Sequence, residues 1–297
     1  MMEPAELKSY RDAGKIASTV RKWSAKLVKP GAKLVDIADS IEKRITDDGG
    51  GLAFPVNVCV NDVTAHYAPK HGDDTVLTGQ DVVSVDLGVH LDGYIADTAY
   101  TVDLAGEYGK LLEINEAALE AAISLVKPGL SVSEIGSKVQ DTITSAGFKP
   151  IENLTGHEVK QYDLHAGLSV PNIKVPYDWK MEEGMVLAFE PFATDGAGRV
   201  IESKRAEIYS LTDPKPTRNR EARKLLKTLH DRGELPFAAR WYAGKVSPLR
   251  LNIILNQLAQ EDILKSYPPL HEKAKGMVSQ FEHTLIVTSD GCEVTTR

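Results

Sequence analysis

The feature that most constrains this chain is an internal repeat. Leu27-Val28-Lys29-Pro30-Gly31 returns 98 positions later as Leu125-Val126-Lys127-Pro128-Gly129, and the register runs on without a gap. Ile37 matches Ile135, Ile45 matches Ile143, Thr46 matches Thr144 and Gly49 matches Gly147, giving 9 identities in 23 columns. Leu34/Val132 and Ile41/Val139 are conservative pairs. Each copy reads as a helix ending near Lys-Pro-Gly, then a second helix with apolar residues three and four apart, closed by glycine. A Pro-Gly turn that recurs alone is commonplace. A match that continues through the following helix marks two related halves, which place a shared site at their interface.

Strand signals follow each copy. Val82 to Thr101 alternates, with Val83, Val85 and Leu87 against Ser84, Asp86 and Gly88, and turns at Asp92-Gly93. Val186–Phe189 and Phe281–Val287 are further strands. Hairpins intermixed with helices, rather than a regular βαβ alternation, predict an α+β fold. Residues 208–266 interrupt the pattern with two helical stripes, Ala222, Leu225, Leu226 and Leu229, then Leu251, Ile254, Leu255 and Leu258. From Lys204 to Arg250 there are 12 Lys/Arg against 5 Asp/Glu, in a chain whose 35 Lys/Arg and 42 Asp/Glu give −7 overall. The expectation is one domain from 1–207 and 267–297 with a small helical insertion at 208–266. Its positive charge is most simply a solvated face; the functional alternative is a surface that meets ribosomal RNA.

Composition narrows the class. With 297 residues, 42% hydrophobic and 26% charged, the chain is no disordered, collagen-like or disulfide-scaffold protein. Its negative balance excludes a chain-wide affinity for DNA or an anionic membrane. No run approaches 18 uncharged apolar residues, and Met1–Lys15 lacks a signal-peptide core. Cys59 and Cys292 form neither a metal nor a disulfide pattern. A reduced, cytoplasmic protein is expected.

Five side chains are candidate metal ligands. Asp86 and Asp97 flank the hairpin: a two-residue Asp92-Gly93 turn puts Asp86 opposite Ala99, and a four-residue loop from His90 to Gly93 puts it opposite Asp97. Either way two carboxylates lie close, which destabilises the pair unless a cation sits between them. His157 follows Gly156 in a glycine-punctuated segment, and His165 comes eight residues later; a lone histidine is more often a satisfied core or surface residue. Glu190 ends the apolar run Val186–Phe189 and precedes Pro191, which places it at a strand end. Glu282 shares a strand face with Gln280 and Thr284, where a carboxylate needs a partner or a metal. His283 falls on the opposite face.

In this order, Asp86-x10-Asp97, Gly156-His157, Glu190-Pro191 and Glu282 resemble the dinuclear metallohydrolases of the pita-bread fold, a family with two pseudo-symmetric halves around a mixed antiparallel sheet. Within it the chain is most similar to type II methionine aminopeptidases of the short archaeal kind. Asn57 to His66, Gly156 to His165, and an insertion containing Leu235-Pro236-Phe237-Ala238-Ala239-Arg240-Trp241 carry that similarity. The resemblance covers nearly the whole chain. It implies two divalent ions (Co, Mn, Fe or Zn), with Asp86 on one, His157 and Glu190 on the other, and Asp97 and Glu282 bridging. It also implies Glu190 as proton shuttle, His66 and His165 beside the scissile amide, and Phe54, Leu164, Phe192 and Tyr267 as walls of a methionine pocket.

The implied activity is removal of N-terminal methionine from peptides and nascent chains whose second residue is small, by a monomer, with the ribosome as a further partner. By that rule this chain keeps its own Met1, because Met2 is large. The rivals are an X-Pro aminopeptidase of the same fold and a non-catalytic relative that binds RNA or ribosomes. Relatives of the second kind have lost ligands, whereas all five are present here.

Overall fold

Two helix pairs carry the repeat: α1 (Pro4–Ser24) with α2 (Leu34–Asp47), and α3 (Gly109–Ile123) with α4 (Val132–Ser145). The structure, a computed structural model, describes residues 2–213, 215–244 and 246–297, so Met1 and its expected retention lie outside the described residues. α2 buries Leu34, Ile37, Ala38, Ile41 and Ile45; α4 buries Val132, Ile135, Gly136, Val139 and Ile143, the same positions of the repeat. That spacing turns one stripe to the core, where each large aliphatic side chain contributes about 1.5–3 kcal/mol. The turns are equivalent too. Gly31 and Gly129 adopt φ of 86° and 83°, a left-handed conformation that glycine reaches without a Cβ penalty. Their N–H groups donate to the carbonyls of Leu77 and Met181, each at 2.8 Å.

The halves meet in a nine-stranded antiparallel sheet. Its order is Gly51–Leu52, Val82–Leu91, Tyr94–Asp103, Glu282–Val287, Val186–Phe189, Thr155–Glu158 and Ser169–Pro171. Asn57–Val60 pairs with Val82–Leu91, and Cys292–Val294 with Glu282–Val287. The seam is the pairing of Glu282 with Ala99 and His283 with Thr98. Registers match across it. Cys59 pairs with Ser84 as His157 pairs with Ala188; Gly88 pairs with Asp97 as Phe192 pairs with Gln280; Gly51 pairs with His90 as Lys149 pairs with Thr194. The pseudo-two-fold therefore carries Cys59 onto His157, Asp86 onto Glu190, Asp97 onto Gln280 and Ala99 onto Glu282.

Alternation assigns the two faces of the sheet. Val83, Val85, Leu87, Val89, Ala96 and Tyr100 join the core with α1 to α4, leaving Asp86, Asp97 and Ala99 on the other face. Tyr209, Leu225, Leu255, Leu258 and neighbours form a separate apolar cluster with α5 (Arg220–Leu229) and α6 (Pro248–Gln260). This segment is tied to the body through Glu42, a polar residue buried on the stripe of α2. Its carboxylate accepts from Arg240, from Trp241 Nε1 at 2.7 Å and from the Val56 N–H at 3.1 Å. Arg232 donates to the Leu52 and Pro236 carbonyls, each at 2.7 Å. Among the described residues no helix is long and apolar enough to cross a membrane.

Candidate metal centre

The hairpin turns on two residues. Asp92 and Gly93 both have positive φ, the geometry of a tight turn that follows strand twist, and the ladder puts Asp86 opposite Ala99. Asp97 lies opposite Gly88, so the two aspartates are diagonal neighbours on one face. His157 reaches the same region because Gly156 lets two strands press together: a Cβ there would stand 2.2 Å from the Ala188 carbonyl oxygen. Glu190 follows the Val186–Phe189 strand directly, and Glu282 opens the strand across the seam.

Asp86, Asp97, His157, Glu190 and Glu282 line one cavity of about 70 Å³. His157 Nε2 stands 3.7 Å from Asp97 Oδ2 and 3.6 Å from Glu190 Oε1. Asp97, His157 and Glu282 each offer a ligand atom within 4.8 Å of the others. Asp86 Oδ1, Asp97 Oδ1, both Glu282 oxygens and His157 Nδ1 are buried without a hydrogen-bond partner.

Electrostatics give these orphaned atoms a meaning. Burial lifts Asp86 to about 7. It holds Asp97, Glu190 and Glu282 well above the carboxylate range, and neighbouring carboxylates add to the rise. Burial pushes His157 down to about 4, so its imidazole is neutral at pH 7 with a lone pair to give. No Lys or Arg lines the cavity among the described residues. Such a set either stays protonated or takes up a cation, and oxygen-rich donors with one imidazole and no thiolate fit a divalent metal. His283 stands apart, its Nδ1 2.7 Å from Thr296 Oγ1.

The substrate-side expectations divide. His66, His165, Phe54, Leu164 and Tyr267 line the cavity. The His165 ring lies 4.6 Å from His157 and 6.3 Å from Tyr267, and His66 meets Tyr267 edge-on at 5.6 Å. Burial lowers His66 to about 4 and His165 well below its usual value. His66 adopts φ of 63°, in the left-handed region that histidine enters more often than most side chains. Phe192 is not among the residues that line the cavity: it packs with Ile151, Val200, Leu270 and Val278 in an apolar cluster that also contains Ala65, and Ala65 lines the cavity.

Asn57, Ala65, Ile208 and Pro236 also line the cavity and were not foreseen. Asn57 had a signal, since it stands two residues before Cys59 on an alternating strand and pairs with Asp86. Ile208 and Pro236 had none. They arrive through tertiary pairing, Ile208 opposite Tyr267 and Pro236 through the Arg232 contact.

The family model described as metallopeptidase family M24 matches residues 8–289. A methionine aminopeptidase of Pyrococcus horikoshii is 47% identical over 287 residues, 96% of this chain and 97% of that one. A methionine aminopeptidase structure from Thermotoga maritima superposes with a TM-score of 0.74 at 23% identity, covering 100% of this chain and 98% of that one. A thermophilic Arx1 structure gives 0.87 at 18% identity, covering 99% and 91%. The last two are likenesses of fold, and the fold they share with this chain is the α+β pita-bread architecture.

Proposed function

The chain belongs to metallopeptidase family M24, and from that premise we propose that it is a methionine aminopeptidase, a hydrolase that removes N-terminal methionine from peptides and nascent proteins whose second residue is small. The observation that carries this is the convergence of four buried carboxyl groups and one neutral imidazole on one cavity, with no Lys or Arg lining it among the described residues. Relatives of nearly equal length that bear that name, at 41–47% identity, support the substrate.

Divalent metal use follows from the family and from the donor set. The finer assignment is two ions, from Co, Mn, Fe or Zn, which Asp86, Asp97, His157, Glu190 and Glu282 would hold between them. Bound there, the ions supply hydroxide from water at neutral pH and stabilise developing charge on the scissile carbonyl. Glu190 holds the proton taken from water and passes it to the leaving amine. His165 and His66, neutral at pH 7, hydrogen-bond the scissile amide as charge develops. Phe54, Leu164 and Tyr267 receive the unbranched thioether, and the small cavity supports the restriction to a small second residue.

Residues 208–266 form the insertion subdomain in this reading, and they contribute Ile208 and Pro236 to the cavity. A cytoplasmic monomer acting on nascent chains is the cellular setting, and the insertion's positive charge supports contact with the ribosome. The Arx1 likeness gives the non-catalytic rival no further support, because at 18% identity it speaks to fold alone.

The test is release of methionine from Met-Ala-Ser by metal-free protein with Mn, Co, Fe or Zn restored, beside Asp97→Ala and an Ala-Pro-Gly substrate. Metal-restored cleavage of Met-Ala-Ser, lost in Asp97→Ala, is expected. Folded protein that cleaves only Ala-Pro-Gly, or nothing with any metal, overturns the reading.

A further inference from the structure

The two-fold correspondence places Gln280 where the other half has Asp97, and the match extends to backbone contacts. The Asp97 N–H donates to Thr284 Oγ1 at 2.8 Å, and that hydroxyl donates to the Asp97 carbonyl at 2.9 Å. The Gln280 N–H donates to Thr101 Oγ1 at 2.9 Å, and that hydroxyl donates to the Gln280 carbonyl at 2.7 Å. Two equivalent threonine clamps across the seam thus hold two buried side chains. One ends in a carboxyl group, the other in a carboxamide.

The difference has a chemical use. Gln280 is 1% exposed, and its Nε2 donates to Asp86 Oδ2 at 3.3 Å. The same side chain also acts on Glu190, easing the rise that burial imposes on its carboxyl group. Asp86 and Glu190 are themselves related by the two-fold, and theirs is the one pair among the four matched above in which both halves carry a carboxyl group. An ionised carboxylate only accepts, whereas an amide brings two N–H donors and no charge. With Oδ2 engaged by Gln280, Asp86 Oδ1 is left buried and unpartnered.

We propose that Gln280 is a positioning residue of the metal centre. Its Nε2 hydrogens fix Asp86 and Glu190 so that their remaining oxygens face the ions, and affinity for divalent metal depends on that donor. A carboxylate at position 280 would add a further anion to the cluster and leave Asp86 and Glu190 without this donor. The inference rests on Asp86 and Glu190 being ligands.

The experiment is metal binding, read apart from activity. Full-length metal-free protein is titrated with Mn2+ or Co2+ against a chromophoric chelator, wild type beside Gln280→Met, which keeps length and neutrality and lacks the donor. Loss of such a contact to a metal ligand weakens affinity about 10–100-fold, and that is the result expected, with near-UV circular dichroism of the metal-free variant like wild type. Wild-type affinity in Gln280→Met overturns the proposal, because packing would then be all that position 280 supplies. Should Gln280→Met fail to fold, Gln280→Asn keeps the amide and draws it back by one methylene. The same loss is expected there, and wild-type affinity again overturns the proposal. Wild-type protein that binds no divalent ion removes the ligand assignment itself.

Discussion

Without metal, this protein should lose stability as pH rises from 7 to 8. In the metal-free fold burial lifts Asp86 to about 7 and holds Asp97, Glu190 and Glu282 well above the usual range. The same groups ionise near pH 4 in an unfolded chain. At pH 7, then, the unfolded state carries no protons on them while native Asp86, at about 7, is still about half protonated, and raising pH favours unfolding. The buried histidines work in the opposite sense but lower down. Burial takes His66, His90 and His157 to about 4 and His283 to about 3, so the stability they confer grows from about pH 4 and is largely complete by pH 7. Cys59, pushed up to about 12 by burial, contributes only as unfolded thiols ionise above about pH 8.

The window from pH 7 to 8 therefore isolates the carboxyl cluster. Each proton the native state retains across that window costs about 1.4 kcal/mol per pH unit, so a loss on the order of 1 kcal/mol is expected. Urea unfolding with a chelator present, against unfolding with saturating Mn2+, reads this directly. Bound metal requires deprotonated ligands, so the loss should vanish or reverse with Mn2+. A metal-free unfolding free energy that is flat or rises between pH 7 and 8 would refute the reasoning. So would an unchanged slope in the Asp97→Asn/Glu282→Gln double variant.

Three further outcomes are expected. Glu42→Gln leaves buried Arg240 with only the exposed Asp39 carboxylate as an anionic partner and should cost about 2–4 kcal/mol in urea unfolding; a loss below 1 kcal/mol would show the contact to be dispensable. Gly156→Ala drives a methyl group against the Ala188 carbonyl, and should cost about 1–3 kcal/mol while weakening metal binding through His157. Phe54→Ala should raise KM for Met-Ala-Ser through loss of a cavity wall, whereas Phe192→Ala should cost about 3–5 kcal/mol of stability with KM little changed. Reversed effects in that pair would restore Phe192 to the pocket.

The repeat was legible in the sequence because both copies solve the same local problem. A Pro-Gly turn leads into a helix whose apolar stripe must face the same sheet, and α2 and α4 bury matching positions. The candidate site is far less visible in that self-comparison. The two-fold carries Asp86 onto Glu190, but it carries His157 onto Cys59, Asp97 onto Gln280 and Glu282 onto Ala99. A site at the axis of a duplicated fold needs different groups from each half, so the scaffold repeats where the chemistry does not.

Strand alternation supplied the shared face of Gln280, Glu282 and Thr284, and the opposite face for His283. The hairpin register stayed open in the sequence because loop length, not composition, decides it; the left-handed backbone at Asp92 and Gly93 resolves it. Phe192 was less legible. An apolar residue two positions after a candidate ligand can wall a pocket or fill the layer beside it, and strand alternation does not distinguish the two; here it packs in the cluster that contains Ala65.

The seam strand, Glu282–Val287, lies between Tyr94–Asp103 and Val186–Phe189, with both of its hydrogen-bonding edges occupied. In the chain it follows every other strand of that sheet except Cys292–Val294. Until it docks, the two halves have no shared ladder, and Asp86, Asp97 and Glu190 wait without Glu282. Pairing partners so distant along the chain make this closure a slow, late step of folding. Joining the sheet is also what brings Glu282 beside Asp97 and His157 in the candidate centre. Any chemistry that needs all five side chains together must therefore wait until the two halves share one ladder.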